Sequence, residues 1–260
     1  MTDPHPPGEA EPDRRLWRIS GRDRESFLQG LITTDARRIA AGPVYAALLT
    51  PQGKYLADFI LAPAGEAILL DIHDSLAAAT VRRLLTYRLR ADVAIDPAEG
   101  LHLHRGSGPA PADGWPDPRH PALGWRAYRT APPGPPATDW TSIRLVHAIP
   151  ASGIELVPNE TYILEAGFER LNGVDFRKGC YVGQEVTARM KHRAALRKGL
   201  VPVTVTGAAP PGTPILAADG REAGVLYTNA GGRGLAWLRF DRAQGPLRAA
   251  EAAVTAEPQT

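Results

Sequence analysis

The chain has 260 residues, 43% of them hydrophobic, a formal net charge of +2 and one cysteine. That length lies near the size at which a single core stops growing and a second unit forms. The near balance of charge excludes a nucleic-acid binder that works through overall positive potential, so direct nucleic-acid binding is not expected and any basic surface would be local.

No apolar run approaches the ~18 residues of a membrane span, and no membrane partner is expected. A lone cysteine cannot form an intramolecular disulfide. By itself it cannot hold zinc or an iron–sulfur cluster either, and it implies a reducing, cytoplasmic setting. The opening "MTDPHPPGEAEPDRR" is proline-rich and acidic, without the apolar core of a secretion signal or an amphipathic transit pattern. It reads as a disordered tail over residues 1–14.

Leu16 to Ser20 alternates like a short strand, Gly21 breaks it, and a helix fits Arg22 to Gln29 with Gly30 as its stop. The turn signals "PQGK" and "PAGE" then separate three apolar runs, the pattern of a β-meander. Val81, Leu84, Leu85 and Leu89 recur at helical spacing and predict a helix over residues 75–90. Strands and helices in this alternation define an α+β fold.

Residues 106–138 hold nine prolines and five glycines, too many for continuous helix or ladder; only "LGWRAYRT" reads as a strand, between mobile flanks. A helix follows in "DWTSIRLVHAI", and Asn159 reads as the N-cap of another that ends near Asn172–Gly173. From residue 196 to 250, "LVPVTVT" and the turns "PPGTP", "ADG" and "NAGG" predict a small β-barrel or sandwich, with 251–260 as a tail.

The chemistry-bearing stretch is "DFRKGCYVGQEVTARMKHR". Cys180 stands ahead of a helix that can start at Gln184, with Lys178 close by; a helix N-terminus and an ammonium both favour thiolate. The competing reading is a small buried hydrophobe. Seven Lys or Arg residues fall between Arg177 and Lys198 against one acid, Glu185. They read either as an anion-holding cluster or as a solvated helix face with Glu185 paired to Arg189. Asp58, in a strand of Leu56, Phe59 and Ile60, is a candidate ligand contact or a water-facing acid. His102 and His104 would share one strand face, but no neighbouring acid or cysteine completes a metal set, so no metal site is expected. "GGRG" at 231–234 reads as a hairpin turn.

"KGCYVGQE" at 178–185 resembles the signature of the YgfZ family, folate-binding relatives of the glycine-cleavage aminomethyltransferase that support iron–sulfur proteins. "FLQGLITTD", "LLTPQGKYLADF", "YRLRADV", "IRLVHAIP" and "PPGTPI" follow in the family's order. The resemblance implies a ring-like arrangement of α+β subdomains over residues 15–195 with a small C-terminal β-barrel, and tetrahydrofolate as ligand. It implies catalytic roles for Cys180 and Lys178, and folate contacts from Asp58, Arg144, Tyr181, Gln184 and Glu185. The implied function is assembly or repair of iron–sulfur clusters, with assembly proteins or client enzymes, tRNA-modifying ones among them, as partners. The alternative is a folate-dependent aminomethyltransferase or demethylase. A third reading is a non-catalytic adaptor that binds RNA or protein through the 177–198 patch.

Overall fold

The computed structural model describes residues 8–192 and 196–257. The chain forms two compact units. The first runs to Thr138 and resumes over Glu169–Gln184; the second takes Asp139–Phe168 and everything from Glu185. The division therefore does not follow the boundary expected at residue 195, because Asp139–Phe168 belongs with the C-terminal strands.

The first unit is built on a five-stranded antiparallel sheet of β1 (Arg14–Ser20), β2 (Val44–Leu49), β3 (Tyr55–Ala64), β4 (Ala67–His73) and β5 (Ala94–Pro97), in the order β2-β3-β4-β1-β5. The expected meander is β2-β3-β4. Period-two alternation sends Phe59, Leu61, Leu70, Ile72 and Ile19 into one core, with Leu28 of α1 (Arg24–Gln29) and Val81 and Leu84 of α2 (Asp74–Arg88). The opposite face carries Tyr45, Asp58 and Asp71, all buried. The expected apolar stripe of α2 is only half right: Val81 and Leu84 are buried, whereas Leu85 and Leu89 are 40% and 87% exposed.

A second, three-stranded sheet of β6 (His102–Gly106), β7 (Trp115–Pro116) and β8 (Trp125–Arg129) runs in the order β6-β8-β7. Its middle strand is the expected "LGWRAYRT" island. The flanks expected to be mobile are fastened instead, by a buried Asp117–Arg119 pair at 2.7 Å and by Asn172 Nδ2 donating to the Pro118 carbonyl. Residues 8–14 are likewise no tail. Glu9 exchanges backbone bonds with Arg105, and its carboxylate accepts from the amides of Ala137 and Thr138. The rest of the expected tail, 1–7, lies outside the described residues.

In the second unit, α3 (Trp140–Val146) is capped by Asp139, whose side chain accepts from the Ser142 amide. Of α4 (Gln184–Lys191), all but its first residue belongs here. The helix expected after Asn159 is absent. Asn159 sits at φ 66, outside N-cap geometry, and Gly167 at φ 77 breaks the segment a few residues further on. That stretch folds as turns closed by short-range bonds such as Gly167 N to Leu164 O.

The C-terminal strands β9 (Lys198–Thr206), β10 (Thr213–Ala217), β11 (Glu222–Ala230), β12 (Arg233–Arg239), β13 (Leu247–Ala249) and β14 (Ala252–Ala256) close into a barrel. Val201, Val203 and Val205 alternate into its core. The β11–β12 turn uses Gly231 and Gly232, both at positive φ as a tight two-residue hairpin requires. The barrel ends at Ala256, so half of the tail expected at 251–260 is a strand; residues 258–260 lie outside the described residues.

Candidate functional site

The loop that carries Cys180 is attached to the first unit along its length. Thr33 Oγ1 donates to the Gly173 carbonyl at 2.6 Å, Asp175 N to Thr33 O at 2.9 Å, and Val182 N to Gly30 O at 3.3 Å. Lys178 is the central fastening. Its Nζ donates to the carbonyls of Gln29 at 2.8 Å, Ile32 at 2.5 Å and Thr34 at 3.2 Å, and stands 4.9 Å from the Tyr181 ring centroid. An ammonium has three protons to donate, and three carbonyls take them. Gly183, at φ 85, closes the loop where a Cβ would lie 2.6 Å from the Thr50 carbonyl oxygen.

The result is a rigid mount with a free tip. Cys180 is exposed, and nothing lies within 4 Å of the Cβ position of its neighbour Gly179. The bland reading of Cys180 as a buried hydrophobe is thereby set aside. The helix behind it begins at Gln184, as expected. Lys178 acts through the loop: its nitrogen is directed at the 29–34 segment and anchors the chain two residues before the thiol.

Burial lowers the Lys178 pKa to about 8, with Asp35 and Asp175 opposing. The folded chain releases this proton near pH 8 and the unfolded chain near the ordinary 10.5, so this group's contribution to stability rises with pH between them. Lys178→Met removes the donor and leaves three carbonyls facing an apolar stem. A loss of about 2–3 kcal/mol is expected in urea unfolding at pH 7, with faster amide exchange over 178–184. A loss below about 0.5 kcal/mol would show that the clamp does not hold the loop.

The other expected ligand contacts each have their own local partners. Asp58 is 3% exposed, and its carboxylate accepts from the hydroxyls of Tyr45 at 3.0 Å and Tyr55 at 2.6 Å; it does not face water. Tyr181 is buried beneath Lys178. Gln184 is half-buried at the helix start, its amide donating to the Tyr181 carbonyl. Arg144 and Glu185 belong to the second unit. There Arg144 donates to the Ile149 carbonyl and to buried Glu155, while Glu185 takes the solvated alternative, paired with Arg189 at 2.7 Å.

The basic stretch 177–198 is only partly a surface: Arg177, Lys191 and Arg197 are exposed, whereas the other described ones are engaged. Lys178 is buried, Arg189 is paired, and Lys198 lies 3.5 Å from Glu165; Arg193 falls outside the described residues.

Sequence reasoning missed a cluster of buried charge on the opposite face of the first sheet. Asp71 holds Arg14 at 2.6 Å, Tyr128 at 3.1 Å and Arg126 at 3.4 Å. Arg126 reaches Glu11 at 2.7 Å and Asp117 at 3.5 Å, and Arg119 lies 5.9 Å from the Tyr45 ring. The only available signal was arginines recurring in otherwise apolar strands, "RRLWRIS" and "WRAYR".

Among solved structures, the glycine-cleavage aminomethyltransferase T of Bartonella henselae superposes with a TM-score of 0.73 at 13% identity, over 95% of this chain and 83% of that one. Residues 197–260 match the family model of the CAF17 C-terminal β-barrel domain. The protein therefore has an aminomethyltransferase-like fold with a C-terminal barrel of the CAF17 type. It is 33% identical to the mouse mitochondrial iron–sulfur cluster assembly factor IBA57, over 90% of this chain and 78% of that protein. It is 32% identical to the human one, over 94% and 81%. The chain belongs to the IBA57 family of iron–sulfur cluster assembly factors. The resemblance to the YgfZ family is refined accordingly.

Proposed function

We propose that the chain works in iron–sulfur cluster assembly or repair, with Cys180 as its working group, a transient ligand or nucleophile. The carrying observation is the exposed thiol on a loop clamped by Lys178. Among the described residues, no group of three or more His, Cys, Asp or Glu side chains could hold a metal. One thiolate fills one coordination position, so the remaining ligands of any cluster met here come from the protein that delivers or receives it. Clients are iron–sulfur enzymes, with tRNA-modifying enzymes among them. The mouse and human relatives are mitochondrial; mitochondrial matrix and cytoplasm are both reducing settings that suit a free thiol.

Tetrahydrofolate is the proposed ligand, supported by the motif resemblance at 178–185. The five side chains assigned to it do not fit as a set. Asp58 already serves two tyrosine hydroxyls, Arg144 serves Glu155, Glu185 serves Arg189, and a face of Tyr181 lies against Lys178. Tetrahydrofolate at about 100 times its Kd should add about 2.7 kcal/mol, a rise on the order of 5–10 °C in melting temperature. An unmoved melting temperature at saturation would remove folate from this proposal and leave the cysteine reading standing.

The second reading is a folate-dependent aminomethyltransferase or demethylase, and it draws on the fold. Enclosure of Asp58 by Tyr45 and Tyr55 counts against it, because a carboxylate that handles substrate protons needs a path to the reacting atom.

A further inference from the structure

We propose that the C-terminal end of α2 and the turn after it form a docking surface for an acidic partner protein, with Leu89 as the side chain that the partner receives in an apolar pocket. Residues 85–90, "LTYRLR", are exposed without interruption. Three of the six are large and apolar, Leu85, Tyr87 and Leu89, and Leu89 is 87% exposed. Scattered surface leucines are ordinary, but here a leucine that is almost fully exposed stands beside an arginine-bearing helix face edged by two further exposed apolar side chains, a mixture that marks an interaction site.

The backbone singles out Leu89. It ends the helix at φ 46 and ψ −107, a conformation unfavourable for any side chain with a Cβ. Folding alone would be better served by glycine at a helix end with positive φ. The turn is nevertheless held in place. Arg88 Nη1 donates to the Val93 carbonyl, and Asp92 N donates to Asp23 Oδ2 at 2.8 Å. A leucine fixed in solvent on a strained, fastened turn is pre-organised to enter a matching pocket. A lipid surface would demand no such fixed backbone.

The charge around it identifies the partner. Helical spacing places Arg82, Arg83 and Thr86 at the centre of the exposed face of α2, with Leu85 and Tyr87 on its flanks. Arg88 and Arg90 follow, both exposed. Arg22 joins this surface through its pair with Asp92 at 3.4 Å, and also lines a shallow cleft with Arg18, Arg24 and Glu66. Within residues 18–25 and 82–92, together with Glu66 of the cleft, seven arginines stand against four acids, Asp23, Glu25, Glu66 and Asp92, a local excess larger than the +2 of the whole chain. Arginine beside aromatic and aliphatic side chains is the composition of a protein interface core, and its complement is an apolar pocket rimmed with carboxylates. Neither Cys180 nor folate has a part in this surface.

The test places a photo-crosslinking amino acid at Thr86, in the full chain and in its native cell, with adducts identified by mass spectrometry. Expected is a discrete adduct with a protein of net negative charge. It should fall about tenfold or more in Leu89→Gly, and equally in the Arg83→Glu, Arg90→Glu double variant. The double arginine variant should melt within about 2 °C of the parent, since its side chains are exposed, and Leu89→Gly should melt no lower than the parent, since glycine relieves the strained turn. Adducts with lipid or RNA in place of protein, a protein adduct indifferent to both variants, or no adduct would overturn the proposal.

Discussion

Arg126→Met is expected to cost about 3–5 kcal/mol of unfolding free energy at pH 7, the penalty typical of removing one partner from a buried ion pair. Arg126 is 1% exposed and sits among three carboxylates. Nη1 and Nη2 both donate to Glu11 Oε2 at 2.7 Å, while Asp71 and Asp117 lie at 3.4 and 3.5 Å. A methionine fills similar space but satisfies none of them, and the three acids would be left to Arg14, Arg105 and Arg119. Adding Glu11→Gln should recover part of the loss, because the freed carboxylate is then gone; the double-mutant cycle measures that coupling. A loss below about 1 kcal/mol for Arg126→Met would mean that water or the neighbouring arginines compensate fully, and that the cluster does not hold the two sheets of this unit.

The same variant has a pH signature. Burial pushes the Glu11 carboxyl up, but Arg126, Arg105, Arg14 and Arg119 together hold it well below the usual carboxylate range. Asp117 is also lowered, its burial outweighed by Arg119. A carboxyl with a depressed folded pKa contributes stability that is complete above its unfolded value, about 3.9–4.3, and drains away as pH falls toward the folded one. The parent should therefore stay folded into mild acid. In Arg126→Met the acid transition should move to higher pH, since Glu11 and Asp117 lose an attractive charge.

That cluster also marks where sequence reading stops. Local patterns carry local structure. Two glycine turns between apolar runs specified β2-β3-β4, and the alternation of Val201, Val203 and Val205 specified a barrel strand. The partner of Arg126 is Glu11, 115 residues away, inside a stretch whose prolines and acids read as a tail. Nothing local distinguishes an acid that waits for a distant arginine from one that faces water.

Helical periodicity placed Val81 and Leu84 correctly but drew in Leu85 and Leu89, because periodicity cannot tell a core side chain from one kept at the surface for a partner. Asn159 misled for a physical reason: asparagine suits both an N-cap and the left-handed region, and here it adopts the second. The Cys180 loop was legible in its glycines and helix start. The Lys178 clamp was not, because the carbonyls it binds belong to residues 29–34.

Cys180→Ser is expected to abolish function while leaving the fold intact. The side chain is exposed and the replacement nearly isosteric, so unfolding free energy should change by no more than about 0.5 kcal/mol. The loop's mount, Lys178 on three carbonyls and Gly183 against Thr50, does not involve the sulfur. Tyr181→Ala should show the reverse order in stability, a loss of about 3 kcal/mol, since that ring is 7% exposed and covered by the Lys178 ammonium. Function separates the two the other way. A serine oxygen is a far weaker nucleophile and soft-metal ligand than thiolate, so Cys180→Ser should fail to restore an iron–sulfur enzyme's activity in cells lacking the parent protein, at equal protein level. Tetrahydrofolate should still raise the melting temperature of the variant if folate is held by groups other than the thiol. Restored enzyme activity with Cys180→Ser would show that the thiol is not the working group, and the loop would then be a structural element whose exposed tip serves another purpose.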